Sequence, residues 1–163
     1  MSVRKLAAAV DFSPSFISQL ERNTVSPSIS SLERLAAGLG VGLGDFFKAE
    51  PPSTIVVRRG KRQSVTSGWS RARIEALDAA QPGRLFEAVM VTIAPGGTSG
   101  KRAHAHERER FVIVFAGSVR LTFGAATFVM HKGDSVIVPS SVPHRWENHG
   151  KRRASLVIVS PRH

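Results

Sequence analysis

The chain has 163 residues, enough for one medium domain or two small ones, each with a modest core. It contains no cysteine, which excludes a disulfide framework and thiol chemistry and leaves His, Asp and Glu as the only ligands for a metal. Its net charge of +11 suits nucleic acid phosphates or other anions. That excess is uneven: residues 1–60 carry 7 basic and 5 acidic side chains, whereas 61–163 carry 16 and 7. A solvated, solubilising surface and an anion-attracting one both explain the second figure. No apolar run approaches a membrane span, and Leu6–Val10 is too short for a signal peptide, so the expected location is the cytoplasm.

From Ser2 to Phe47, apolar residues recur at three and four, as in short amphipathic helices. Ser2 caps a predicted helix over Val3–Val10. Ser13-Pro14 supplies an N-cap and a proline at the first helical position, starting a second helix to about Arg22. Ser28 or Ser30 starts a third over Leu32–Leu39, stopped by Gly40, and a short fourth covers Leu43–Phe47. Leu6, Ala7 and Val10 face Ile17 and Leu20; small Ala7 lets the helices cross closely, and Phe12 plugs the turn. That turn needs a residue tolerant of positive φ, and Asp11 is acceptable there.

This pattern is a helix-turn-helix. The outward face of its second helix offers Ser15, Phe16, Ser18, Gln19 and Arg22. Gln can read adenine through two hydrogen bonds, Ser can serve bases or phosphates, and Phe can touch a thymine methyl. Ser13 stands at the helix start, and Arg22, Asn23, Ser26 and Ser28 near its end, where phosphates are clamped. The stretches Ser13-Pro-Ser-Phe-Ile-Ser-Gln-Leu-Glu-Arg22 and Ser26-Pro-Ser-Ile-Ser-Ser-Leu-Glu-Arg-Leu-Ala36 resemble the XRE (Cro/CI-type) helix-turn-helix family over about residues 2–47. Members usually carry one more helix before these, so the expectation is a module shortened at its N-terminus.

At Lys48–Thr54 the texture changes. Adjacent Pro51 and Pro52 stop a helix and favour an extended spacer. The expected organisation is a helical DNA-binding domain over 1–49, a linker over 50–54 and an all-β domain over 55–163. Strands are predicted at Thr54–Arg58, Phe86–Ile93, Phe111–Phe115, Arg120–Phe123, Ala126–Met130, Ser135–Val138 and Ser155–Val159, punctuated by Gly117, Gly124 and Gly133. Many short strands with Gly and Pro turns indicate an antiparallel sandwich or small barrel.

Two constellations stand out in this half. In His104-Ala-His106, strand alternation points both imidazoles one way, and Arg110 and Gly117 follow. Gly133, Pro139, His144 and Asn148 place a third histidine after a Pro-bounded turn. Three converging histidines make a plausible site for Zn, Fe, Mn or Ni through His104, His106 and His144. His131, His149 and His163 lack such a setting and are read as surface residues.

The two motifs resemble those of the cupin family, over roughly residues 54–160. Gly97 lies one residue too far from His104, Ser141 replaces an inner glycine, and 15 residues, Ser118–Lys132, separate the motifs. The resemblance implies a double-stranded β-helix (jelly-roll) barrel, so the fold class is multi-domain, an all-α helix-turn-helix followed by an all-β cupin. The family's metal-binding glutamate is replaced by Arg110, a fixed positive charge that opposes a dication. Glu107, Glu109 or Glu147 are the expected partners of that charge, with Glu109 able to rescue a metal site only through a bulge.

XRE regulators with a cupin look like this from end to end. The resemblance implies a regulator that dimerises through its barrel and reads a pseudo-palindromic operator with half-sites about 34 Å apart. His104, His106, Arg110 and His144 are the expected effector site, and Arg110 suggests a small anion such as a carboxylate. The alternative is a mononuclear metal-dependent oxygenase or epoxidase, since hydroxypropylphosphonate epoxidase has this architecture. That chemistry uses two His and a carboxylate, and Arg110 removes the carboxylate.

Overall fold

The computed structural model describes residues 2–47, 56–78 and 85–162. Three helices, α1 (Val3–Ala9), α2 (Pro14–Glu21) and α3 (Ile29–Leu39), precede a short 3-10 turn at Leu43–Phe47. Each helix starts where a serine can satisfy free amides. Ser2, Ser13 and Ser28 accept from the backbone N–H groups of Lys5, Phe16 and Ser31. α3 begins three residues before the expected Leu32, because Ser28 rather than Ser30 is its cap. Gly40 ends it with φ of 69°.

Asp11 has φ of 51°, as the tight turn between α1 and α2 requires. Ala7, Val10, Ile17 and Leu35 are buried in a small core, and Val3, Leu6, Phe12, Phe16 and Leu20 pack around it. Gly38 completes the α1–α3 crossing. A Cβ there would stand 2.3 Å from Cγ1 of Val10.

The remainder is antiparallel β structure: β1 (Ser64–Ser67), β2 (Ala72–Ala76), β3 (Phe86–Ile93), β4 (Arg110–Ala116), β5 (Ser118–Phe123), β6 (Ala126–His131), β7 (Ser135–Val138), β8 (His144–Glu147) and β9 (Ala154–Pro161). Six strands form one sheet in the order β1-β2-β3-β9-β4-β7, and three form a second, β6-β5-β8. Along β3 and β9 every second residue is buried, the signature of a sheet with one face on a core. Val91, Ile93, Val112, Val114, Leu156 and Ile158 of the large sheet meet Val119, Leu121, Met130 and Trp146 of the small one.

Six strands stand where sequence placed them. β1, β2 and β8 were not foreseen. β1 and β2 hold one large aliphatic each, Val65 and Ile74, among small, polar or charged residues, and in β8 only Trp146 is apolar. For the expected Thr54–Arg58 strand, Thr54 and Ile55 lie outside the described residues and Val56–Arg58 is not a strand. The expected linker, 50–54, also lies outside them.

The helical part and the sandwich do not have separate cores. Ile29 and Leu32 of α3, with Leu43, are buried in the same cluster as the strands. The Ser30 amide donates to the Ser99 carbonyl at 3.1 Å. The amides of Leu43 and Gly44 donate to the buried Glu87 carboxylate on β3 at 3.3 and 2.9 Å. α3 therefore belongs to both halves at once.

Candidate functional site

The outward face of α2 holds the residues expected to meet DNA. Ser13, Ser15, Gln19, Arg22, Asn23 and Ser26 are exposed. Ser13 caps the helix at 3.1 Å from the Phe16 amide and is bonded to Ser15 at 3.0 Å. The Arg22 Nε–H donates to the Ser18 carbonyl, which folds the guanidinium along the helix end. Asn23 ends α2 in the left-handed region, with φ of 55°. Phe16 and Ser18 are only half exposed, and Phe16 lies edge-on to Phe12 with ring centroids 4.9 Å apart. Ser28 departs from expectation. It is buried, and its hydroxyl caps α3 and bonds Ser30 and Ser31 at 2.8 and 2.9 Å, so it serves the helix instead of a phosphate.

The second site lies at one end of the sandwich. His104 and His144 exchange backbone hydrogen bonds of 3.1 and 3.0 Å, and the Ser141 amide donates to the His106 carbonyl at 2.8 Å. Ser141 takes φ of 66°, the conformation for which its motif normally uses glycine. These contacts bring three rings together without a regular strand at His104 and His106. Centroids are 4.5 Å apart for His104–His106, 5.0 Å for His106–His144 and 5.6 Å for His104–His144. Asn148 locks the motif's far end, its amide donating to the carbonyls of Ile93 and Arg152 at 2.8 Å each. Arg110 enters from the start of β4, held in register opposite Val138 of β7.

The carboxylate that answers Arg110 comes from none of the expected residues. Glu107 and Glu109 are exposed, and Glu147 pairs with Arg145 at 2.9 Å. The partner is Glu33, on α3. Its Oε1 lies 2.5 Å from Nη1 of Arg110, and its Oε2 lies 2.7 Å from Nε2 of His104 and 3.5 Å from Nε2 of His106. Glu33 is 7% exposed. Burial opposes its ionisation, but Arg110, His106 and His104 outweigh burial and hold its carboxyl well below the usual range. His106 is pushed down to about 3, chiefly by burial, with Glu33 opposing and Arg110 adding to the shift. His144 is lowered by burial too, against a hydrogen bond to the Val142 carbonyl. Both imidazoles are therefore neutral near pH 7.

Neutral imidazoles and a carboxylate are metal-ligand chemistry, and a fit can be tested. Among the described residues, donor atoms of Glu33, His104 and His106 lie within 4.8 Å of one another, a set that could hold an ion; His144 is not in it. That set shares His104 and His106 with the expected set of His104, His106 and His144. The charge balance does not fit a dication, however. Arg110 already occupies one oxygen of Glu33, and its guanidinium would face the ion at close range. The arrangement suits a carboxylate better than a cation.

Little space is left inside. The cavity lined by Glu33, His104, Arg110, His144 and Trp146 holds about 10 Å³, roughly the room one water needs. A groove of about 420 Å³ runs past its mouth, between α3 and segment 105–110, with Glu33, His106 and Arg110 on its wall.

The sequence matches the model described as "Cupin domain" over residues 89–160 and that described as "Helix-turn-helix" over residues 1–46. It is 28% identical over 149 residues to the HTH-type transcriptional regulator PuuR of Escherichia coli (strain K12), covering 91% of this chain and 80% of that one. It is 26% identical over 151 residues to SutR, another HTH-type transcriptional regulator of that organism, covering 93% and 81%. An HTH_3 family transcriptional regulator from Vibrio cholerae superposes with a TM-score of 0.73 at 20% identity, covering 98% of this chain and 86% of that one, a likeness of fold.

Proposed function

The chain belongs to the DNA-binding transcriptional regulators that join an XRE-type helix-turn-helix to a cupin domain, and from that premise we propose that its barrel senses a small anionic effector. The observation that carries this reading is Arg110. A half-buried guanidinium stands among three imidazoles, where the motif normally offers an acid, beside a groove open to solvent. A planar guanidinium binds carboxylates through paired hydrogen bonds. The pairing of Glu33 with Arg110 weighs against the oxygenase reading, because it engages the carboxylate near the histidines.

DNA is read by α2, with Gln19 and Ser15 toward bases and Arg22, Asn23 and Ser26 toward phosphates. Two copies joined through their barrels present two such helices to a pseudo-palindromic operator. Exposed Phe111, Phe128, Val129 and Ile137 on the strands supply apolar area for that union. Among the described residues no helix is long and apolar enough to cross a membrane; the likeness to DNA-binding regulators supports work in the cytoplasm, with the chromosome.

The test is fluorescence anisotropy of the full chain on DNA from upstream of its own gene, against scrambled DNA, over a salt series. Specific binding keeps a margin of about 10³ or more, saturates at two chains per operator, and is lost in Gln19→Ala. Equal binding to both DNAs at every salt concentration would contradict the reading.

A further inference from the structure

Glu33 sits in the barrel but comes from the helical half, 77 residues before its partner Arg110. We propose that Glu33 is the built-in occupant of the barrel's anion subsite, and that a small carboxylate effector acts by taking its place on Arg110 and His104, which frees α3. This rests on the effector reading above and names the chemistry of the ligand and how it would regulate.

The site already holds a carboxylate, so its ability to do so is a matter of geometry. Removing that carboxylate alone would strand a half-buried guanidinium, which is unfavourable. Exchange is different. An incoming carboxylate keeps Arg110 paired while Glu33 moves to water, where it is fully solvated. The two states are then close enough in free energy for a modest ligand concentration to choose between them. The groove beside the site gives the ligand a way in and the Glu33 side chain a way out. Beside the site, Nε2 of His106 and Nδ1 of His104 are buried without a hydrogen-bond partner among the described residues, and a hydroxyl carried by a larger acid could serve either.

The next residue on α3 carries the consequence. Arg34 donates to the carbonyls of Val10 and Asp11, lies 3.3 Å from the Asp11 carboxylate, and stands over the Phe12 ring at 4.2 Å. It thus grips the turn that sets α2 against α1. Glu33 looks into the barrel and Arg34 into the helix-turn-helix, so a shift of α3 moves both. Ile29, Leu32 and the Ser30–Ser99 bond at its start, and Leu43 with the Leu43 and Gly44 bonds to Glu87 beyond its end, remain as anchors, so the middle of α3 shifts without detaching.

Acetate is the fragment that Glu33→Ala deletes, so it is the probe. Its binding to the full-length wild type, Glu33→Ala and Glu33→Ala/Arg110→Gln is measured by calorimetry, with acetamide as the uncharged control and circular dichroism as the check on folding. The expected result is acetate binding at least tenfold tighter to Glu33→Ala than to wild type, no binding of acetamide, and loss of the gain in the double variant. Equal acetate affinity in wild type and folded Glu33→Ala overturns the proposal. Should Glu33→Ala fail to fold, Glu33→Gln keeps the bulk and is read in the same titration; unchanged acetate affinity there overturns it as well. The titration uses no DNA, so its failure and the failure of the operator experiment are separable. Tight acetate binding that leaves operator affinity unmoved in wild type would refute the release of α3.

Discussion

Arg110 stands where its motif normally carries an acid, and the acid that answers it is Glu33. A cupin strand carries the base, and a helix of the DNA-binding half carries the acid. Their surroundings make the site sensitive to acid, and both shifts act in one direction. His106 stays neutral in the fold down to about pH 3, whereas the unfolded chain takes up that proton near 6.5. Between those values the unfolded state binds more protons, so its share of stability is full above 6.5 and is lost as pH falls. Glu33 is depressed from 4.5, and its share disappears on further acidification. The melting temperature measured by calorimetry should therefore fall by roughly 5 °C or more from pH 7 to pH 4. His106→Gln should flatten the part of that profile above pH 4.5, and an unchanged slope there would count against a buried neutral imidazole. Arg110, His104, His106 and His144 were all legible from motif spacing. Glu33 was not. A single glutamate in an amphipathic helix looks like a solvated residue, and a contact spanning 71 residues to His104 leaves no local pattern. Of the carboxylates considered instead, Glu107 and Glu109 lie exposed in the segment before β4, and Glu147 is engaged by Arg145.

At the scale of elements, serine caps and apolar spacing placed the helices to within a residue or a turn. Asp11 was identified because a tight turn demands positive φ, and it adopts it; Ser141, noted in the sequence only as replacing a motif glycine, adopts it too. The strands that escaped notice, β1, β2 and β8, are stabilised by pairing with neighbours. Ala72, Ile74 and Ala76 alternate inward, yet two of the three have poor strand propensity. Gly38 supplies a test of how closely α1 and α3 pack. Its backbone is ordinary helix, so Gly38→Ala would gain in propensity if space allowed. With Cγ1 of Val10 at 2.3 Å from the new carbon, overpacking should win. The expected cost is about 1–3 kcal/mol in urea unfolding, with weaker operator binding because α1 supports α2. A stabilised variant would show that the crossing is looser than described.

Across the whole molecule, the two halves suggested by composition and by the prolines share α3. A change of texture marks where a chain turns from helix to strand, but the core is assigned by packing, and Ile29, Leu32 and Leu43 pack with the barrel. The charge asymmetry also takes on a location. Lys101 and Arg102, part of the basic excess outside the helical segment, line an open cleft with Phe12, Phe16, Ser26 and Arg34. Some of the barrel's positive charge therefore lies beside the DNA-reading helix, where it adds to phosphate attraction. On the proposed reading, α3 joins a DNA reader to a sensor, its adjacent residues Glu33 and Arg34 facing the barrel and the helix-turn-helix. The most direct test compares operator affinity of wild type and folded Glu33→Gln at fixed salt, by anisotropy. The expected change is about fivefold or more, the usual scale of coupling between two sites, because the neutral amide loosens α3 as an effector would. Identical affinities in two equally folded proteins would contradict it.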